Sequence, residues 1–117
     1  DTPSLIVKIS CIQGISFKKP LRALVDSGSK YSFIYNSTLP LDAEPTNISG
    51  MTTTLLDQTT LINKVVKLED IVMLEFEASL HVTKPFQAYV AEAQATSFNL
   101  NIGQDFNIGL GIDVIKS

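Results

Sequence analysis

Apolar and polar positions alternate along much of this chain, and the alternation predicts strands. Leu5, Val7, Ile9 and Cys11 interleave with Ile6, Lys8, Ser10 and Ile12, which gives a first strand with one drier face. Gly14 stands where a turn is expected, and Leu21 to Val25 is a second apolar run introduced by Pro20. The clearest alternation sets Leu74, Phe76, Ala78, Leu80 and Val82 against Glu75, Glu77, Ser79 and His81, a strand with one wet face. Phe86, Ala88 and Val90 continue the pattern after Pro85, so 74–91 reads as a hairpin. Thr52-Thr53-Thr54-Leu55-Leu56 and Thr59-Thr60-Leu61-Ile62 are two β-prone runs. Asp57-Gln58 lies between them as a two-residue turn that lacks the favoured glycine. Pro40 and Pro45 punctuate a loop over 39–47. No segment sustains a 3.6-residue period, and the one expected helix is a short turn after Gly103, over Gln104 to Ile108. No repeat, low-complexity tract or linker interrupts the chain. The pattern predicts a single all-β domain over residues 1–117, a barrel or sandwich of short strands.

Composition narrows what such a domain can do. Ile, Leu, Val and Phe supply 39 of 117 residues, well above the level at which chains stay disordered. No apolar stretch reaches the length of a membrane span, and the start, Asp1-Thr2-Pro3, has no basic and apolar leader. Neither a membrane partner nor a signal segment is therefore expected. The net charge is −3, with nine bases, one of them arginine, against twelve acids, which argues against binding a phosphate backbone. One cysteine (Cys11) and one histidine (His81) exclude an internal disulfide and a zinc site of Cys/His type. The lone cysteine suits a reducing, cytoplasmic setting. Any Ser-His-Asp triad would have to use His81, so catalysis must run mainly on carboxylates, hydroxyls or lysines. No metal or organic cofactor is implied.

One stretch carries candidate chemistry. Leu24-Val25-Asp26-Ser27-Gly28-Ser29 ends an apolar run in a carboxylate followed by a hydroxyl and a glycine. Apolar flanks, Ala23 to Val25 and then Phe33-Ile34, place Asp26 at the edge of the core. A carboxylate there is costly unless it is hydrogen-bonded or shares a proton. Gly28 lets the backbone approach closely behind it, and the Ser27 and Ser29 hydroxyls can donate to it or to the loop. Alone, the tripeptide is an ordinary turn. It is followed by Ser32-Phe33-Ile34 and, far downstream, by Leu100-Asn101-Ile102-Gly103-Gln104-Asp105-Phe106, an aliphatic-Gly step opening the expected helix.

In that order and spacing the sequence resembles the retropepsin-type aspartic proteases, most of all the protease domains of Ty3/gypsy LTR retrotransposons. Their pattern apolar-Asp-Ser/Thr-Gly-Ala/Ser-x-x-x-Phe-Ile is matched by Val25-Asp26-Ser27-Gly28-Ser29-Lys30-Tyr31-Ser32-Phe33-Ile34. Their later Ile-Leu-Gly-x-Asp-Trp/Phe-Leu, followed by a strand with Ile-Asp, is similar to Asn101-Ile102-Gly103-Gln104-Asp105-Phe106 and Gly111-Ile112-Asp113. Thr54-Leu55-Leu56-Asp57-Gln58-Thr59-Thr60-Leu61 is similar to their flap. Departures are Asn101 for an aliphatic, Gln58 where the flap tip often has glycine, and Lys30-Tyr31 where retroviral members carry acids.

The resemblance implies a closed retropepsin-like barrel of short strands with one short C-terminal helix and a flap hairpin. It implies catalysis by Asp26, with Ser27, Gly28 and Ser29 supporting the loop. Leu55, Leu56, Asp57, Gln58 and Thr59 would contact substrate from the flap, and Ile102 and Gly103 would form the second structural motif. An aspartic protease needs two carboxylates around one water, and only Asp26 is followed by Ser/Thr-Gly, so a homodimer is expected. The expected activity is endopeptidase cleavage of a retroelement polyprotein, or of a host protein after domestication, inside the cell and in a retroelement particle. Apolar residues are expected at the scissile bond. Two other readings stay open: a catalytically inactive dimerisation or peptide-binding module on the same fold, and an unrelated all-β ligand-binding domain.

The remaining features have plainer readings. Lys18, Lys19 and Arg22 read as a solvated turn, Gly109-Leu110-Gly111 lacks the third glycine of a dinucleotide loop, and Cys11 reads as a small buried hydrophobe.

Overall fold

The computed structural model describes residues 4–55, 58–74, 81–82, 84–92 and 106–115. Eight strands, β1 (Ser4–Cys11), β2 (Leu21–Val25), β3 (Ser32–Tyr35), β4 (Thr46–Leu55), β5 (Gln58–Met73), β6 (His81–Val82), β7 (Phe86–Ala91) and β8 (Ile108–Leu110), form one sheet. A 3-10 turn over Asn36–Thr38 and one helix, α1 (Ile112–Ile115), complete the described elements. None of the described helices is long and apolar enough to cross a membrane.

β1 behaves as its alternation dictates: Val7, Ile9 and Cys11 are buried and Lys8 is exposed. It runs antiparallel to β2, with Ser4 opposite Leu24 and Val7 opposite Leu21. β2, β3 and β7 carry apolar residues on both faces and lie between two cores. Leu21 and Ala23, Ile34, and Ala88 and Val90 join the main cluster with Val7, Ile9, Leu68, Ile71, Ile108 and Leu110. Leu24, Phe33, Tyr35, Ala91 and Phe106 form a second, largely aromatic cluster with Tyr89 packed against it. Gly109 is required between them, since a Cβ there would sit 2.3 Å from the Phe33 ring.

The sheet corrects the expectation of a closed barrel of short strands. Its order is β1-β2-β8-β3-β7-β5-β4, with β6 also on β5, and β1 pairs with β5 to bring the ends round into a ring that is not a true barrel. Parallel pairs (β2–β8, β3–β7) mix with antiparallel ones. A barrel needs a consistent stagger around one interior. Here register shifts interrupt the β1–β5, β4–β5 and β5–β7 pairings, and the two clusters lie on opposite faces of β2 and β3. The strands are not uniformly short either: β5 has sixteen residues and pairs in turn with β4, β7, β1 and β6. It turns at Asp70, which takes φ 58°, a left-handed conformation that aspartate tolerates better than most residues, beside the shift opposite Lys8 and Ser10.

Two further expectations are revised. β6 and β7 both pair with β5, so the described part of 74–91 is not a hairpin; residues 75–80 and 83 lie outside the described residues. Residues 106–108, the described part of the helix expected over 104–108, are not helical. Ile108 is a buried residue of β8, and the helical turn comes at Ile112–Ile115, where Gly111 O accepts from both Val114 N and Ile115 N. Residues 101–105, including Ile102 and Gly103, lie outside the described residues.

Candidate active site

Asp26 leaves the end of β2, where its N–H donates to Leu110 O on β8 at 2.9 Å. The chain then turns back sharply: Ser29 N donates to Asp26 O at 3.2 Å, and Gly28 N donates to Asp26 Oδ1 at 3.0 Å. An aspartate that accepts from the amide two residues on is a standard way to lock such a turn. Glycine suits position 28 because a Cβ there would lie 3.3 Å from the same Oδ1. Asp26 is half-buried, whereas Ser27 and Gly28 are exposed, so the carboxylate sits at the mouth of the fold. Of the two serines expected to donate, Ser29 does so to the loop, Oγ to Tyr31 O at 2.8 Å.

The turn rests on residues the sequence reading did not single out for this role. Ile112 N donates to Ser29 O at 2.9 Å. Ser32, fully buried, donates through N to Asp113 Oδ2 (3.1 Å) and through Oγ to Asp113 Oδ1 (2.8 Å), and its Oγ accepts from Gly111 N (3.0 Å). Gly111 allows this approach: a Cβ there would be 2.6 Å from Tyr31 O and 2.8 Å from Ser29 O. Gly111-Ile112-Asp113 thus opens α1 rather than lying in a strand, and buttresses the Asp26 turn from beneath. The signal was present, since Leu110-Gly111-Ile112-Asp113 repeats the aliphatic-Gly-x-Asp spelling of Ile102-Gly103-Gln104-Asp105. The strand β8 just before it, tied to β2 and β3, distinguishes the two.

Lys30 and Tyr31 continue the loop on the surface. Tyr31 is 58 % exposed, and its ring stands edge-on to Tyr89, centroids 5.5 Å apart. The hairpin expected over 52–64 is formed by β4 and β5, with Thr52 opposite Leu61, Thr53 opposite Thr60, Thr54 opposite Thr59 and Leu55 opposite Gln58. The two-residue connection therefore falls at 56–57, one residue earlier than expected, and Leu56 and Asp57 lie outside the described residues. Thr52, Thr59 and Leu61 are exposed and Thr60 and Ile62 buried, so only one face of the hairpin is packed.

Other titratable groups sit apart from this turn. Burial pushes the Cys11 thiol up and the Tyr35 hydroxyl up to about 12. Lys18 and Lys19 border an open groove of about 540 Å³ with Phe17, Leu21 and Leu39, at the Leu21 end of β2 rather than the Asp26 end. Among the described residues no group of three or more His, Cys, Asp or Glu side chains could hold a metal ion.

No protein-family model and no curated protein matches the sequence. Among solved structures, the EIAV protease in complex with the inhibitor HBY-793 is similar over 99 % of this chain and 86 % of that one, with a TM-score of 0.58 and 16 % identity. The chain therefore has the fold of a retropepsin, the protease fold of retroviruses.

Proposed function

We propose that the chain is an aspartic endopeptidase that works as a homodimer, with one Asp26 from each protomer at the two-fold axis. The observation that carries the reading is the Asp26 turn itself: a half-buried carboxylate held by Gly28 N, with its backbone tied to β8. Two such carboxylates a hydrogen bond apart cannot both ionise, so they share one proton. The ionised one takes a proton from a water as that water attacks the peptide carbonyl. The protonated one donates to the developing oxyanion, and a proton then passes to the leaving nitrogen. Ser27, Gly28 and Ser29 keep the loop in shape. The β4–β5 hairpin, through Leu55, Leu56, Asp57, Gln58 and Thr59, closes over the substrate and excludes water. Apolar side chains flank the scissile bond, and the natural substrate is a polyprotein of a Ty3/gypsy-type retroelement or a host protein.

The test is cleavage of an unstructured, apolar-rich polypeptide across about pH 4–7, with and without a statine-type inhibitor. Cleavage that peaks on the acid side of neutrality and stops with the inhibitor supports the reading. No cleavage by a folded dimer, or cleavage the inhibitor leaves untouched, refutes it.

A further inference from the structure

We propose that Lys30 and Tyr31 set the substrate preference of this site, selecting an acidic side chain a few residues from the scissile bond on each side. The inference rests on the endopeptidase reading above. It starts from where the turn places Lys30. The Ser29 N to Asp26 O bond closes a tight turn, which keeps the Cα atoms of its first and last residues within about 7 Å and puts the Lys30 Cα within about 11 Å of Asp26. A peptide stretched across Asp26 advances about 3.3 Å per residue. The flexible lysine stem then brings its ammonium to side chains about two to four residues from the bond being cut.

The loop also orients this stretch. Beneath it the backbone is fixed, because Ser29 O accepts from Ile112 N, Tyr31 O accepts from Ser29 Oγ, and Ser32 is clamped by Asp113. Lys30 and Tyr31 are exposed, and Lys30 makes no hydrogen bond or ion pair with another described residue. Tyr31, the next residue, is braced by Tyr89, so its exposed ring is held at the same loop at little entropic cost. The charge runs against the chain as a whole, which is net −3, so the site carries a local positive point on an acidic protein. Two-fold symmetry duplicates the feature: a homodimer presents Lys30 on both sides of the cut, so acids on both sides add.

The experiment uses one apolar–apolar cleavable peptide with Asp, Asn or Lys placed two, three or four residues to either side. It is run near pH 6, where an aspartate of ordinary pKa (about 4) is ionised. The expected result is kcat/KM in the order Asp above Asn above Lys at one of these distances on each side of the bond, by about two- to fivefold per step, as for one exposed ion pair. The gap should shrink with added salt. Lys30→Glu should invert the order and Lys30→Gln should flatten it, a change of ratio that mere loosening of the loop does not produce. An active wild type with flat preference, or a Lys30→Glu enzyme that keeps the wild-type order, overturns this inference alone. A folded dimer that cuts none of the peptides overturns the endopeptidase reading and this one with it.

Discussion

Replacing Ser32 with alanine tests whether the clamp beneath the Asp26 turn holds the fold together. Ser32 is fully buried, and its Oγ both donates to Asp113 Oδ1 at 2.8 Å and accepts from Gly111 N at 3.0 Å. A hydrogen bond to a charged group contributes about 1.5–3 kcal/mol, and a buried N–H left without a partner costs about 1–3 kcal/mol. The two are coupled through one atom and do not add in full, so the expected loss is about 3 kcal/mol. That is a large share of the roughly 5–15 kcal/mol by which a domain is stable. For a chain of this size it corresponds to a fall in Tm of roughly 10–15 °C. The assay is urea unfolding of wild type and Ser32→Ala at the same protein concentration, because the stability of the proposed dimer depends on concentration. The midpoint should fall while the slope stays unchanged. Asp113→Asn should also destabilise, and the Ser32→Ala/Asp113→Asn double variant should cost less than the two singles together by at least about 0.5 kcal/mol. A Ser32→Ala loss below about 0.5 kcal/mol, or strict additivity with Asp113→Asn, would refute the reasoning, since surface changes alone fall in that range.

Gly111→Ala should prevent stable folding, because its Cβ would meet backbone carbonyls at 2.6 and 2.8 Å; Gly50→Ala, whose nearest neighbour is a Leu61 methyl at 3.8 Å, should leave the thermal midpoint within a few degrees. Tyr35 is 1 % exposed, with no partner for its hydroxyl among the described residues, and its folded pKa is pushed up to about 12. The folded state therefore holds its proton where the unfolded state has lost it, and stability should fall as pH rises from about 10 to 12, by about 2–3 kcal/mol. Tyr35→Phe should remove most of that decline without loss of stability at neutral pH; an unchanged alkaline profile would contradict the assignment. In the proposed homodimer each site needs two chains, so proteolytic activity should fall faster than linearly on dilution, with sedimentation at the same concentrations showing dissociation. Linear activity through the range in which the dimer dissociates would contradict a shared site.

The strand β2 was the most legible part of the sequence: Leu21–Val25 is a short, nearly continuous apolar run, and such a run bounded by turn residues has few alternatives. Phe33-Ile34 reads only as an apolar flank of the Asp26 motif, because four residues are too few to show a strand's period, and β3 is fixed by its pairing with β7 and β8. A turn at Asp26-Ser27-Gly28 was legible too, since a carboxylate ending an apolar strand needs a partner, and Gly28 N supplies it. β5 was hard to read as one strand because it crosses several environments. Its Ile62, Val65, Val66, Leu68 and Ile71 point into the core, but shifts near Asn63-Lys64 and Asp70 break the alternation. The aliphatic-Gly-x-Asp spelling occurs at both 102–105 and 110–113, so the pattern alone does not place α1 at Ile112–Ile115. Only long-range pairing of β8 with β2 and β3 selects the second. Ser32 carried no local signal, for its role depends on Asp113, which lies 81 positions away in sequence. The ring of the sheet likewise comes from the non-local β1–β5 pairing.

The most direct measurement compares wild type with Asp26→Asn on one apolar-rich unfolded substrate, with unfolding midpoint and sedimentation recorded for both. The amide keeps the shape of the side chain and can still accept from Gly28 N, so fold and association should be close to wild type. It cannot share the dyad proton or act as base, so cleavage should disappear, while the wild type should show a bell-shaped pH profile centred below neutrality. A folded, dimeric Asp26→Asn protein that still cleaves at a rate near wild type, or a wild-type rate that rises steadily to alkaline pH, would contradict the account.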